Sequence, residues 1–109
     1  MMMRIDQYTY RISWSQEDEE YVASCVEFPS LSWLDTTPEK ALAGVRKVVA
    51  QCVEDMKKSG EAIPEPLSVK SFSGRFMVRV PPQLHRQLAK LAAESGVSLN
   101  RLISHKLSQ

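Results

Sequence analysis

Gly74-Arg75-Phe76-Met77-Val78-Arg79-Val80-Pro81 is the stretch on which the fold turns. It alternates strictly. In a strand, Phe76, Val78 and Val80 would point to one face, and Arg75, Met77 and Arg79 to the other. The first face suits a core. The second carries two guanidinium groups around a flexible thioether. Pro81 and Pro82 end the strand, because proline cannot donate to a ladder, and they suit the first turn of a helix. Two short amphipathic segments follow. The spacing predicts a helix from about Pro82 to Ser95, with Leu84, Leu88, Leu91 and Ala92 on one face and Gly96 at C′. A second helix starts after Ser98, its apolar face being Leu99, Leu102, Ile103 and Leu107. One strand and two helices bury too little surface to fold alone, so this unit requires a second copy of itself.

The order and spacing of these pieces resemble the ribbon-helix-helix DNA-binding unit of the Arc/MetJ type. That family pairs the strands of two chains antiparallel and lays the ribbon in the major groove. The resemblance implies Arg75, Met77 and Arg79 as base readers, with guanine the usual target of arginine and Met77 packed on a base or a thymine methyl. It also implies that Ser98, Leu99 and Asn100, at the start of the second helix, hold a DNA phosphate. The chemistry is general, since free N–H groups and the positive end of a helix dipole favour an anion. Ser98 is the natural N-cap.

A length of 109 residues allows one domain or two very small ones. With 43% hydrophobic and 25% charged residues the chain is of globular type. It has no apolar run of membrane-spanning length, and Met-Met-Met-Arg-Ile-Asp lacks the apolar h-region expected of a signal peptide, so cytoplasm is the expected compartment. Cys25 and Cys52 are expected as reduced, buried thiols. The net charge of +1 hides an asymmetry. Residues 1–72 carry eight Lys/Arg and twelve Asp/Glu, a net of −4, whereas residues 73–109 carry six Lys/Arg against Glu94, a net of +5. The basic part can approach phosphates and the acidic part is repelled by them.

From the N-terminus, Tyr8, Tyr10, Ile12 and Trp14 alternate with Thr9, Arg11, Ser13 and Ser15 as in a half-buried strand. Gln16-Glu17-Asp18-Glu19-Glu20 is a charged turn, and Tyr21 to Glu27 reads as the return strand. Phe28-Pro29-Ser30 breaks it, and Ser32-Trp33-Leu34-Asp35 is a short third strand. Thr37-Pro38-Glu39 opens a helix, with Ala41, Leu42, Val45, Val48, Val49, Cys52, Val53 and Met56 as its stripe and Gly60 at its end. A proline-stiffened connector follows, Glu61-Ala62-Ile63-Pro64-Glu65-Pro66, then a fourth strand at Leu67-Ser68-Val69-Lys70. Ser71-Phe72-Ser73-Gly74 marks the boundary between two domains, 1–72 and 73–109.

Strand–strand–strand–helix–strand ahead of a ribbon-helix-helix resembles the HicB family of antitoxins. The residues that carry the likeness are Glu20-Tyr21-Val22-Ala23-Ser24, Thr37-Pro38-Glu39-Lys40-Ala41-Leu42 and Gly60-Glu61-Ala62-Ile63-Pro64-Glu65-Pro66. Gly74-Arg75-Phe76, Leu84-His85 and Gly96-Val97-Ser98-Leu99-Asn100-Arg101 complete the set. The resemblance implies an α+β chain, with a partial ribonuclease-H-like βββαβ domain that caps a small mRNA-cleaving toxin, HicA. It further implies a C-terminal unit that binds the operon's own promoter, and dimers or tetramers. The family's Pro-Gly pair and further glycine between strands two and three have no counterpart in Phe28-Pro29-Ser30-Leu31-Ser32-Trp33-Leu34-Asp35-Thr36, so a different toxin-facing surface is expected.

No catalytic constellation emerges. His85 and His105 lie on predicted helices without metal-ligand spacing, and no CxxC pair exists. Asp6, Glu27, Asp35 and Asp55 are the acids a ribonuclease-H-like metal site would use, and they read better as solvated or capping groups. Trp14 and Trp33 could stack on RNA bases, but core positions on the covered face of the sheet suit them better. The resemblance thus implies an antitoxin and repressor with operator DNA, a HicA-like toxin and itself as partners, and the residues call for no cofactor, metal or membrane. A stand-alone regulator without a toxin, a nuclease and a pure oligomerisation module are the other readings.

Overall fold

The computed structural model describes residues 2–109. The chain is α+β. Its elements run α1 (Met2–Gln7), β1 (Tyr10–Ser15), β2 (Glu20–Cys25), β3 (Phe28–Asp35), α2 (Pro38–Ser59), α3 (Pro82–Ser95) and α4 (Leu99–Leu107). They fall into two compact units, Met1–Phe72 and Ser73–Gln109.

In the first unit an antiparallel sheet of order β1-β2-β3 backs α2. The register pairs Trp14 with Tyr21, Ile12 with Ala23 and Tyr10 with Cys25. On the other side of β2, Ala23 meets Trp33 and Tyr21 meets Asp35. β3 begins at Phe28, four residues before the third strand that the sequence suggests, and it includes Pro29. The proline is accommodated because β3 is an edge strand with an irregularity. Cys25 pairs with Phe28 and Ser24 with Ser32, which leaves 29–31 out of the ladder.

α2 is bounded as its sequence dictates. Thr37 caps it, its hydroxyl accepting from the Lys40 N–H at 3.1 Å, and Pro38 takes the first turn. Gly60 ends it in the left-handed region at φ 72°. There the Gly60 N–H donates to Lys57 O and the Glu61 N–H to Met56 O, which satisfies the last carbonyls. Ala41, Val45, Val49 and Val53 recur every fourth residue and are buried together with Ala23, Cys25, Phe28, Tyr8 and Ile5. This is the core of the unit. Ile5 comes from α1, a helix that the sequence reading did not foresee. Burial of Ile5 and the bond from the Tyr10 hydroxyl to Ile5 O tie α1 down.

Two expectations are corrected here. Trp14 and Trp33 are not core residues; they stand 50% and 42% exposed. α2 lies mainly over β2 and β3, so it reaches Trp33 at one point only and leaves Trp14 beyond its edge. Ala23 is fully buried at the centre of the sheet. A Cβ built on Gly44 would overlap the Trp33 indole, so that ring lies along the helix at its glycine, with Nε1 donating to Asp35 at 3.2 Å. The fourth strand at Leu67–Lys70 is also absent, so the βββαβ order ends at βββα. The segment is a turn in which the Val69 and Lys70 N–H groups both donate to Pro66 O. Pro66, which is buried, has no N–H for a ladder, and the Leu67 N–H is taken by the Glu27 carboxylate at 2.9 Å.

In the second unit α3 and α4 meet at Gly96, φ 69°, whose own N–H and that of Val97 close the end of α3. Ala92 is buried, and Leu88, Val97, Leu99, Leu102 and Ile103 are half-buried. Residues 75–80 form no ladder among the described residues.

Gly44→Ala tests the close approach. Alanine is the better helix former by about 1 kcal/mol, so an unobstructed site would gain stability. Here the indole must move, and we expect a net loss of about 1–3 kcal/mol in unfolding experiments, with red-shifted tryptophan emission. The loss should shrink when Trp33→Ala is added, and a stabilised Gly44→Ala single variant would contradict the packing.

Candidate nucleic-acid interface

The six residues that the DNA-binding resemblance selects lie in the second unit as two groups. Arg75, Met77 and Arg79 follow the turn at Gly74, which has φ 85° and needs glycine. Ser73 frames that turn, its hydroxyl accepting from the Arg75 N–H at 3.0 Å and donating to Arg75 O at 3.3 Å. Neither arginine has an ion-pair partner among the described residues. Met77 is 84% exposed, and the residues that alternate with it are exposed as well: Phe76 at 76% and Val78 at 62%. A phenylalanine and a valine so placed lack about 1.5–3 kcal/mol each of burial free energy. Both faces of the run therefore stand open, the cationic face and the apolar one.

Ser98, Leu99 and Asn100 form the start of α4. The Ser98 hydroxyl accepts from the Arg101 N–H at 3.1 Å, and Ser98 O accepts from the Leu102 N–H at 3.0 Å. That leaves the N–H groups of Leu99 and Asn100 without an acceptor among the described residues, as the first turn of any helix does. No acid occupies this turn, and Arg101 adds a charge to the helix dipole there. No hydrogen bond or ion pair joins the two groups among the described residues.

Further cations lie outside the six. Arg86 and Lys90, one turn apart on α3, line an open hollow with Pro82, Gln83 and Gln87. A second hollow is lined by Ser95, Val97, Arg101, Leu102 and His105 at the α3–α4 corner. The i, i+4 spacing of Arg86 and Lys90 is legible in the sequence.

The acids considered for a metal site are engaged separately. Asp6 pairs with Arg46. Asp35 accepts from the Thr36 N–H at 2.8 Å and from the Trp33 indole, which hold its carboxyl below the usual aspartate value. Asp55 accepts from Gln51 at 3.0 Å. Among the described residues no three His, Cys, Asp or Glu side chains gather as metal ligands would. Cys25 and Cys52 are free thiols, Cys25 buried and its thiol pushed up by that burial.

Glu27 has a structural function the sequence did not announce. Its carboxylate accepts from the Thr9 N–H at 2.9 Å, the Thr9 hydroxyl at 3.2 Å and the Leu67 N–H at 2.9 Å. It thus clips the start of β1 and the connector to the β2–β3 turn. Burial opposes ionisation of Glu27, yet the backbone N–H donors of Leu67, Thr9 and Glu27 itself outweigh it and hold the carboxyl below the ordinary glutamate value.

A model of the HicB family matches residues 58–107, from the end of α2 through the connector and nearly all of the second unit. Over that stretch, just under half of its length, the chain is similar to the HicB family. No curated protein and no solved structure matches the chain. No described helix is long and apolar enough to cross a membrane.

Glu27→Gln should destabilise the first unit by roughly 1–3 kcal/mol at neutral pH, the range for hydrogen bonds to a charged group. The folded-state value of Glu27 is depressed, so its contribution is present above the ordinary glutamate value and disappears as the pH falls through the folded one. Thermal melts of the two proteins should converge over that acid range. A gap that stays constant with pH would show that the charge of Glu27 is irrelevant.

Proposed function

We propose that this chain is a HicB-type antitoxin and transcriptional repressor that acts in the cytoplasm as a dimer or tetramer. Its first unit, taken as a partial ribonuclease-H-like fold shortened to βββα, neutralises an mRNA-cleaving HicA-like toxin. Its second unit, Ser73–Gln109, pairs with that of another copy as a ribbon-helix-helix and binds operator DNA. The observation that carries this reading is the run 75–80. It keeps an apolar face and a cationic face both in solvent, directly ahead of two helices that leave Leu84, Leu91 and Leu107 exposed. A second copy laid antiparallel would cover Phe76, Val78 and Val80 and turn Arg75, Met77 and Arg79 outward together. Arg75 and Arg79 then donate to base edges in the major groove, and Met77 packs on a base. Ser98, Leu99 and Asn100 hold a phosphate at the start of α4 and set the register. The net charge of +5 over 73–109 supplies attraction that does not depend on base sequence. We assign the chain no catalytic role, cofactor or metal.

Two experiments test the reading. In sedimentation at low micromolar concentration the full chain should run as a dimer or larger. Val78→Glu should run as a monomer with the sheet and α2 intact by circular dichroism. A monomeric parent protein would sink the assignment.

The second experiment addresses base readout. Arg79→Ala should cost about 2–6 kcal/mol of operator binding per dimer, because each bidentate contact is worth about 1–3 kcal/mol and occurs twice. Its thermal stability should change by less than about 0.5 kcal/mol. Operator and random-sequence affinities, measured at one salt concentration, give the check. An unchanged ratio between them would exclude Arg79 as a base reader.

A further inference from the structure

The two tryptophans displaced from the core make a surface of their own. Trp14, Tyr21 and Trp33 project from the same side of the sheet, since Trp14 pairs with Tyr21, Tyr21 with Asp35, and Trp33 lies two residues before Asp35. Trp14 and Tyr21 meet edge to face with centroids 5.1 Å apart. α2 lies mainly over β3 and β2, so the far end of β1 extends beyond it and Ile12 and Trp14 stay about half-exposed. Hydrogen bonds hold both indoles in place: Trp14 Nε1 donates to Gln16 at 2.9 Å and Trp33 Nε1 to Asp35 at 3.2 Å.

The rim of this platform is acidic. The β1–β2 turn follows Trp14 directly and carries Glu17, Asp18, Glu19 and Glu20 in succession. Asp18 is fixed by the Ser15 hydroxyl at 2.8 Å. None of these four carboxylates has an ion-pair partner among the described residues. Asp35 closes the other side, with Lys40 acting on it through space. Aromatic faces attract cations, and unpaired carboxylates at their edge strengthen that preference while repelling phosphates. An RNA-stacking role would need the opposite rim.

We propose that the hairpin end of the first unit, with Trp14, Tyr21 and Trp33 inside a rim of Glu17, Asp18, Glu19 and Asp35, is a docking surface for an arginine- and lysine-bearing face of a partner protein. The identity of that partner as a toxin rests on the proposed function; the chemistry of the surface does not. A protein that handles RNA presents such a basic face. Arginine would stack on the indoles and donate to the hairpin carboxylates at the same time.

The test uses the full chain and two probes, an oligo-arginine peptide and a catalytically inactive HicA-like toxin. The peptide should quench tryptophan emission on binding. Trp14→Ala and the pair Glu17→Lys/Glu19→Lys should each weaken it about tenfold or more, the second through an exposed turn that cannot disturb the core. The pair Glu61→Lys/Glu65→Lys changes net charge equally at the connector and should leave binding within about twofold. Equal loss from both charge pairs would mean net charge alone and would overturn the proposal, as would oligouridylate binding that depends on Trp14. With the toxin, tight binding that ignores Trp14→Ala and the hairpin pair overturns this surface but leaves the antitoxin reading standing. Peptide binding that depends on the patch, with no toxin binding at all, overturns the antitoxin reading and leaves the surface standing.

Discussion

The first unit depends on how closely α2 can approach the sheet. Ala23 on β2 and Gly44 on α2 are both buried and small, and the Trp33 indole occupies the space that a Cβ on Gly44 would need. Everything large is placed around them. Val45, Val49 and Val53 fill the space toward Cys25, Phe28 and Tyr8, where the Tyr8 and Phe28 rings meet edge to face. The indole of Trp33 lies against α2 at Gly44, and Trp14, near the end of β1, rests on Tyr21 and stays half-exposed. The placement of α2 over β2 and β3 thus decides both the core and the exposed aromatic surface.

The connector after α2 is held without a ladder. Where a fourth strand would have offered a row of backbone bonds, a few side chains act at long range. Tyr8 donates its hydroxyl to Pro64 O at 2.7 Å, Ser68 donates to Gln7 O at 2.6 Å, and Glu27 receives the Leu67 N–H. These bonds span 56, 61 and 40 residues of chain. They fasten residues 64–68 to the beginning of the unit, and Pro66 is buried as a result. One of the three depends on an ionised carboxylate, which makes that bond sensitive to acid.

The second unit is built on a different balance. Its helices are well capped, by Ser98 at the start of α4 and by Gly96 at the end of α3, yet few of its side chains are buried. Caps and dipoles contribute about 1 kcal/mol or less each, and they do not replace a core. The apolar alternation at 76, 78 and 80 and the exposed leucines of the helices leave an apolar surface open to solvent.

The sequence by itself determined the local elements. Thr37-Pro38, Gly60, Gly96 and Ser98 mark helix ends because a cap acts within about four residues of itself, and those residues are adjacent in the chain. Alternation at Tyr10–Ser15 marks a strand for the same reason. The cationic residues at 75 and 79 and the helix start at 98–100 were equally legible, being patterns of spacing. What only the tertiary structure decided was which surfaces are covered. Trp14 and Trp33 read as core by residue type, and the limited reach of α2 over the sheet leaves each about half-exposed. Leu67–Lys70 read as a strand, and Glu27, 40 residues earlier, took the N–H at its start. Pro29 read as a break, and an irregular edge strand absorbed it. α1 became a helix with a buried Ile5 because Tyr10 and the core were there to receive it. Burial and long-range hydrogen bonds depend on residues far apart in sequence, and no local pattern encodes that distance.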